Sequence, residues 1–271
     1  MIKAGVIGHP IGHSKSPLIH GYWLKHYGIN GSYDRYDIPP ENLEKSVKSL
    51  VDDGLMGFNV TLPHKQSILP LCNSLSAEAQ KIGAVNTVTI QPDGTLHGHN
   101  TDAYGFIENI NSQYPDINWP SQNVLVLGAG GAAQAILYAL TQQNIRQITI
   151  ANRTVAQAHN TAKLFQAEVI DWDNKQSAID EASLIINTTS LGMTGQPALN
   201  LSLIEAREDT IVYDIVYNPL ITPLLAEAKR NKLRIVTGIG MLLHQARPGF
   251  ESWFGHFPEV TPELEGLILK A

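Results

Sequence analysis

The chain has 271 residues, 43% of them hydrophobic and 16% charged, with a formal net charge of −6. That is apolar material for two modest cores, and the acidic balance, with no Lys/Arg cluster, excludes a nucleic-acid surface built on a basic stripe. The single cysteine, Cys72 in ILPLCNSL, excludes a disulfide framework and a cysteine-based zinc site and reads as an inert buried thiol.

MIKAGVIGHP enters a strand at once, without the apolar run of a signal peptide. No segment approaches the roughly 20 apolar residues of a membrane span, so a soluble cytoplasmic protein is expected. After KAGVIG the pattern predicts a helix from about Ser16 through LIHGYWLKHYG, strand GSYDRYDI, helix NLEKSVKSLVDDG, strand GFNVTL and a helix after Pro63. AVNTVTIQPDGTLHGHN reads as a hairpin turning at Pro92-Asp93-Gly94. A linker-like patch, SQYPDINWPSQ, then precedes a fresh strand and helix in NVLVLGAGGAAQAILYAL. Further strands are expected at QITIAN, AEVIDW, ASLIINTT, TIVYDIV and RIVTG. Six strands with crossovers suit a doubly wound, Rossmann-type sheet. The helical end, from MLLHQARPGFESWFG, is expected to return to the first domain. The predicted fold class is therefore two-domain α/β: a substrate domain of 1–102 plus 239–271 and a dinucleotide domain of 103–238. The default place for a small-molecule site is a cleft between them.

The clearest motif follows the strand Val124–Leu127. Gly128-Ala129-Gly130-Gly131-Ala132-Ala133 fits G-x-G-x-x-A between a strand and a helix. The first glycine makes the tight turn, the second admits a pyrophosphate, and the helix N-terminus faces the phosphates. About twenty residues on, an NAD site places an acid on the ribose. Here Asn152-Arg153-Thr154 stand instead, where an arginine can pair with a 2′-phosphate and its neighbours can donate hydrogen bonds to it. NADP is favoured over NAD.

In the first domain, GFNVTLPHKQ puts Lys65 in the first turn of a helix, where the dipole disfavours a cation by a few tenths to about 1 kcal/mol. That lysine and Asp102 of GHNTDAYGF form the strongest candidate acid–base pair, although Asp102 also reads as a helix N-cap. Ser14 and Ser16, flanking Lys15 before Pro17, read equally as N-caps or as an anion site at a helix start. Asn59, Thr61 and Asn86 lie near strand ends, where α/β sites collect. His9, His13 and His20 match no common zinc spacing, so no metal is expected.

Taken together, GHPIGHSKSP, GFNVTLPHK, GAVNTV, GHNTDAYGF, GAGGAA, ANRT, INTTSLGM, YDIVYNPLITPLL and GIGMLLHQA make the chain resemble the shikimate dehydrogenase family over nearly its whole length. The resemblance implies reduction of 3-dehydroshikimate to shikimate with NADPH, a step toward chorismate and the aromatic amino acids. It implies that Lys65 and Asp102 are the catalytic pair and that Ser14 and Ser16 bind the carboxylate. Asn59, Thr61, Asn86, Tyr217 and Gln245 would line the ring and its hydroxyls. Gly128, Ala129, Gly130, Gly131 and Ala132 would hold the pyrophosphate and Asn152, Arg153 and Thr154 the adenosine phosphate. Thr189, Ile215 and Gly238 would lie near the rest of the dinucleotide. The expected partner is the small-molecule substrate, and a homodimer is the expected assembly.

Two positions depart from the family pattern. Gln157 stands where some members carry a second arginine on the 2′-phosphate, and Gly21 stands where an asparagine is frequent. The nearest rival reading is a quinate/shikimate dehydrogenase with relaxed cofactor and substrate use. A non-catalytic nucleotide sensor should lack the Lys–Asp pair. A methylene-folate dehydrogenase does not suit the paired serines and the Asn-Thr-Asp run.

Overall fold

A computed structural model describes residues 1–271, which divide into two compact units: Met1–Gly105 with Leu243–Ala271, and Phe106–Leu242. The first unit opens with β1 (Ile2–Gly8), α1 (Ser16–His26), β2 (Gly31–Asp37), α2 (Leu43–Asp52) and β3 (Gly57–Val60). It continues with α3 (His64–Ser67), β4 (Ser74–Leu75), α4 (Ala77–Ile82), β5 (Thr87–Ile90) and β6 (Leu96–His99). The helix α5 (Asp102–Gln113) contains the boundary between the units.

Six strands form the sheet in the order β2-β1-β3-β5-β6-β4, parallel at β2-β1-β3 and antiparallel at β3-β5-β6. β1 is the apolar run that a strand paired on both edges and covered on both faces requires. The amphipathic α2 packs Leu43, Val47 and Leu50 against Ile7, Phe58 and Val88. Asp93 makes the predicted hairpin turn, accepting from Thr95 N and Oγ1 at 3.0 and 2.6 Å, with Gly94 at φ +82°.

Two expectations about GFNVTLPHKQ are corrected. The strand ends at Val60 rather than Leu62, and Leu62 is 74% exposed. Pro63 has no N–H with which to extend a ladder. The helix after it is a single turn, His64–Ser67, followed by a 3₁₀ turn at Leu69–Leu71. One turn sums few peptide dipoles, so the penalty on Lys65 lies at the low end of its range. The short elements β4 and α4 carry too little periodicity to be read from sequence.

The second unit holds β7 (Asn123–Leu127), α6 (Gly131–Gln142), β8 (Gln147–Asn152), α7 (Val155–Phe165) and β9 (Glu168–Asp171). Then come β10 (Leu184–Asn187), β11 (Ile211–Asp214), α8 (Pro223–Arg230) and β12 (Arg234–Val236), while α9 (Gly238–His244) contains the second boundary between the units. All strands are parallel in the order β12-β11-β10-β7-β8-β9, which places two mononucleotide halves about a switch point between β7 and β10. Residues 188–210 cross from β10 to β11 without a helix, sealed by buried Leu199, Leu201 and Leu203. The linker-like patch is likewise structured, with a 3₁₀ turn at Trp119–Ser121 and the Trp119 ring buried.

The helices α10 (Arg247–Phe254) and α11 (Pro262–Lys270) belong to the first unit. Trp253 of α10 donates its indole N–H to Val88 O at 3.1 Å. It fills the space over Gly57, whose added Cβ would lie 2.1 Å from Trp253 Nε1. No helix is long and apolar enough to cross a membrane.

Candidate active site

In the first unit the C-terminal ends of β1 and β3 and the start of α5 bring polar side chains together. Lys65 Nζ donates to Asp102 Oδ2 at 2.6 Å, the two side chains being 30% and 14% exposed. Asp102 is the first residue of α5 rather than its cap, and its other oxygen accepts from Asn86 Nδ2 at 2.8 Å. The backbone holds Lys65 as well, its carbonyl accepting from Val85 N at 2.8 Å.

Asn86 is 3% exposed, so its amide must find partners. Its Oδ1 accepts from Thr101 N at 2.9 Å and from Thr87 Oγ1 at 3.0 Å, and its Nδ2 reaches Gln245 Oε1 at 3.4 Å. Thr101 Oγ1 donates to Gln245 O at 2.8 Å, tying the start of α5 to the returning chain. Asn59, 6% exposed, spends both amide hydrogens on Asn86 O at 3.1 Å and Thr87 Oγ1 at 3.0 Å. Its Oδ1 accepts from Tyr33 OH at 2.6 Å. That leaves this amide no hydrogen for a ligand. Thr61 is half-buried just past β3, its carbonyl accepting from His64 N at 2.9 Å.

Neither serine of the opening loop caps α1: the cap position is Lys15, with no side-chain bond. Ser14 Oγ instead accepts from Ser16 N at 3.3 Å, and Arg35 of β2 fixes the loop by donating from Nη2 to Ser14 O at 2.8 Å. A serine hydroxyl that accepts a backbone bond still has its own hydrogen to give.

His9 and His20 do different work. His9 Nδ1 bonds Asp37 Oδ1 at 3.0 Å at the surface. His20 is fully buried, stacked on Tyr33 at 3.9 Å, and burial lowers its pKa to about 3, so the ring is neutral. No group of three His, Cys, Asp or Glu side chains stands where a metal could be held. Cys72 is half-buried and burial pushes its thiol up to about 11, which leaves it protonated.

In the second unit the glycine turn has the geometry its residues predict. Gly128 has φ +113°, and a Cβ there would lie 2.4 Å from Thr188 Oγ1. Gly130 and Gly131 are exposed with open space around the missing Cβ, and no side chain caps α6. The first-turn amides of a twelve-residue helix thus face an opening that a pyrophosphate can enter. At the end of β8, Asn152 Nδ2 donates to Thr154 O at 3.0 Å, and Arg153 is exposed and in none of the ion pairs. Gln157 Nε2 donates to Ala129 O at 3.1 Å, so the residue at the departing position braces the glycine turn and brings no charge.

Across the switch point, Thr189 N and Oγ1 both donate to Asn187 Oδ1, at 3.0 and 2.7 Å. Ile215 N donates to Asn187 O at 3.1 Å, and Gly238 packs so closely that its Cβ would lie 2.1 Å from Ile215 O. Tyr217 is 37% exposed, and partial burial raises its phenol pKa.

Tyr33, Thr87, Thr101, Asn187 and Asp214 were not singled out by sequence reading. Thr101 lies inside the GHNTD run, and Asn187 and Asp214 end two apolar strands; a polar residue closing a buried strand is the signal that could have found them.

A six-stranded parallel sheet with a glycine turn at its switch point, together with a Lys–Asp pair braced by buried amides, defines a two-domain, dinucleotide-dependent enzyme of the Rossmann type. Residues 6–88 match the model of the shikimate dehydrogenase substrate binding domain, and residues 110–233 match that of shikimate/quinate 5-dehydrogenase. The chain belongs to the shikimate dehydrogenase family. The shikimate dehydrogenase (NADP(+)) of Methylobacterium radiotolerans is 48% identical, the match covering 98% of this chain and 96% of the relative. Shikimate 5-dehydrogenase from Thermus thermophilus, solved in complex with NADP(H) and shikimate, has 36% identity and a TM-score of 0.89, covering 100% of this chain and 99% of that one. Quinate dehydrogenase from Corynebacterium glutamicum, solved in complex with NAD, is 28% identical with a TM-score of 0.92, covering 100% and 99%. The two-domain α/β reading and the family resemblance are borne out.

Proposed function

We propose that this chain catalyses the reversible NADPH-dependent reduction of 3-dehydroshikimate to shikimate. The observation that carries the reading is the 2.6 Å bond between Lys65 Nζ and Asp102 Oδ2, with Asn86 holding the second carboxylate oxygen. When bound, NADPH would supply a hydride (two electrons and one proton nucleus) to the carbonyl carbon, being oxidised to NADP⁺. The chain's task is to orient the ring, stabilise charge at the carbonyl oxygen and deliver a second proton there.

Lys65 serves as the donor at that oxygen, and Asp102 aims the ammonium and accepts from a neighbouring ring hydroxyl. The pair acts as one unit in supplying the proton. Ser14 and Ser16 donate to the substrate carboxylate. Thr61, Asn86, Gln245 and Tyr217 line the ring and its hydroxyls, while Asn59, with its hydrogens spent, sets the Asn86 backbone. Gly128, Ala129, Gly130, Gly131 and Ala132 receive the pyrophosphate. Asn152, Arg153 and Thr154 bind the 2′-phosphate. Thr189, Ile215 and Gly238 meet the nicotinamide side. The site is proposed to work in the cytoplasm, in a homodimer whose mass light scattering on a sizing column would measure.

Absorbance at the NADPH band with shikimate and NADP⁺, repeated with NAD⁺ and with quinate, tests the reading. The expected result is turnover with shikimate and NADP⁺ above every other combination. No turnover with either nucleotide refutes it, and a preference for quinate with NAD⁺ transfers the chain to the quinate branch. The uncharged Gln157 is the observation that favours some NAD⁺ use.

A further inference from the structure

β10 and β11 lie side by side in parallel register, with Asn187 paired to Asp214 at their C-terminal ends. Both side chains are fully buried. Asn187 Nδ2 donates to Asp214 Oδ1 at 3.0 Å, which also accepts from Val216 N at 3.0 Å. Asp214 Oδ2 accepts from Thr222 Oγ1 at 2.7 Å. On the other side, Asn187 Oδ1 takes both hydrogen bonds of Thr189, and Asn187 Nδ2 also reaches Leu191 O at 3.1 Å. Two contacting side chains thus hold the loop after β10 and the loop after β11 in one arrangement.

A buried carboxylate with neutral donors and no ion-pair partner is a costly brace. Burial pushes Asp214 up to about 6, so three hydrogen bonds do not fully replace its lost hydration. An apolar residue would close the strand end at lower cost. What the carboxylate adds is direction: it accepts from Val216, Thr222 and Asn187 at once.

In a doubly wound sheet the two halves of a dinucleotide lie on opposite sides of the switch point. The glycine turn and the end of β8 take the phosphates and the adenosine, which leaves the ends of β10 and β11 to the other half. We infer that Asp214 and Asn187 are a buried positioning pair that sets the nicotinamide-side loops, and thereby hydride transfer, without acting on adenosine binding. The inference rests on the function proposed above. The pair places the Thr189 and Val216 backbones. Gly238 packs against Ile215 and Val216, and Val216 begins the chain leading to Tyr217.

The test compares Asp214→Asn, Thr222→Val and Thr222→Ser with the unaltered protein. Binding of adenosine 2′,5′-bisphosphate reads the adenosine half, binding of NADP⁺ reads the whole molecule, and single-turnover oxidation of shikimate reads hydride transfer. The expected result is bisphosphate affinity within about twofold of the unaltered protein in all three. Hydride transfer should fall by about tenfold or more in Asp214→Asn and Thr222→Val, with recovery in Thr222→Ser, which keeps the hydroxyl. Equal loss of both affinities would mean general loosening and overturn the inference, as would unchanged hydride transfer. Should Asp214→Asn fail to fold, the Thr222 pair decides alone. Failure of the unaltered protein to oxidise shikimate would sink the proposed function, and the split between bisphosphate and NADP⁺ affinities would still judge the positioning pair.

Discussion

Replacing Lys65 by alanine separates the chemistry of this site from its stability. The change removes the 2.6 Å bond to Asp102 and leaves that carboxylate, 14% exposed, with Asn86 as its remaining side-chain partner. Exposed pairs are worth up to about 1 kcal/mol, while breaking a buried one costs about 3–5 kcal/mol. With the lysine 30% exposed, the cost falls between these, at about 1–3 kcal/mol. That predicts a melting temperature lower by several degrees in a protein that still folds. Losing an acid–base group costs about 10²–10⁴ in rate, or about 3–5 kcal/mol of transition-state stabilisation. Steady-state kinetics on purified Lys65→Ala should therefore show kcat down about a hundredfold or more, with KM for NADPH little changed. The decisive comparison is with Asp102→Asn, which keeps the shape and removes the charge. A Lys65→Ala enzyme with near-normal kcat at saturating shikimate would refute the proposed role.

Arg153→Ala should remove a charge-assisted contact worth about 1.5–3 kcal/mol, raising KM for NADPH by about 10- to 150-fold and barely moving NADH kinetics; equal effects on both would place Arg153 elsewhere. Gly128→Ala forces a side chain to φ +113° and to 2.4 Å from Thr188 Oγ1. It should cost about 1–3 kcal/mol and weaken NADPH binding, measured by thermal unfolding and fluorescence titration. Asp214 sets a pH dependence of stability. Its folded pKa of about 6 lies above the unfolded value near 4, so its contribution is fully present below about pH 4 and is lost as pH rises through about 6. Between pH 4 and 7, urea unfolding should show the unaltered protein losing about 2–3 kcal/mol relative to Asp214→Asn. Parallel pH profiles for the two proteins would contradict that.

The parts readable in sequence are those decided within a few residues. Gly128 needs a left-handed backbone, the strand before it is an unbroken apolar run, and a helix follows at once. All three constraints act along one stretch of chain, so their meaning survives without the fold. The same holds for the Asp93-Gly94 hairpin and the amphipathic α2. GFNVTLPHKQ shows the opposite case. Its alternation reads as a strand running to Leu62 and a real helix after Pro63. The regular strand instead stops at Val60, Thr61 N still donates to Ile7 O and Leu62 O accepts from His9 N, and a single helical turn follows. Where β1 ends and β5 begins, beside Val60 and Asn59, limits the regular pairing, which the local pattern does not show.

The sequence by itself therefore determined the α/β class, the nucleotide turn, and Lys65 and Asp102 as the residues to watch. Only the tertiary structure decided that Lys65 and Asp102, 37 residues apart, meet at 2.6 Å. It also decided that Asn59 has spent its hydrogens on Asn86 and Thr87, and that Asp214 closes a buried strand beside Asn187. The physical reason is range. Propensity and turn chemistry act over a few residues, while a hydrogen-bond partner across a sheet is set by strand order and by the burial that leaves a polar atom nowhere else to turn.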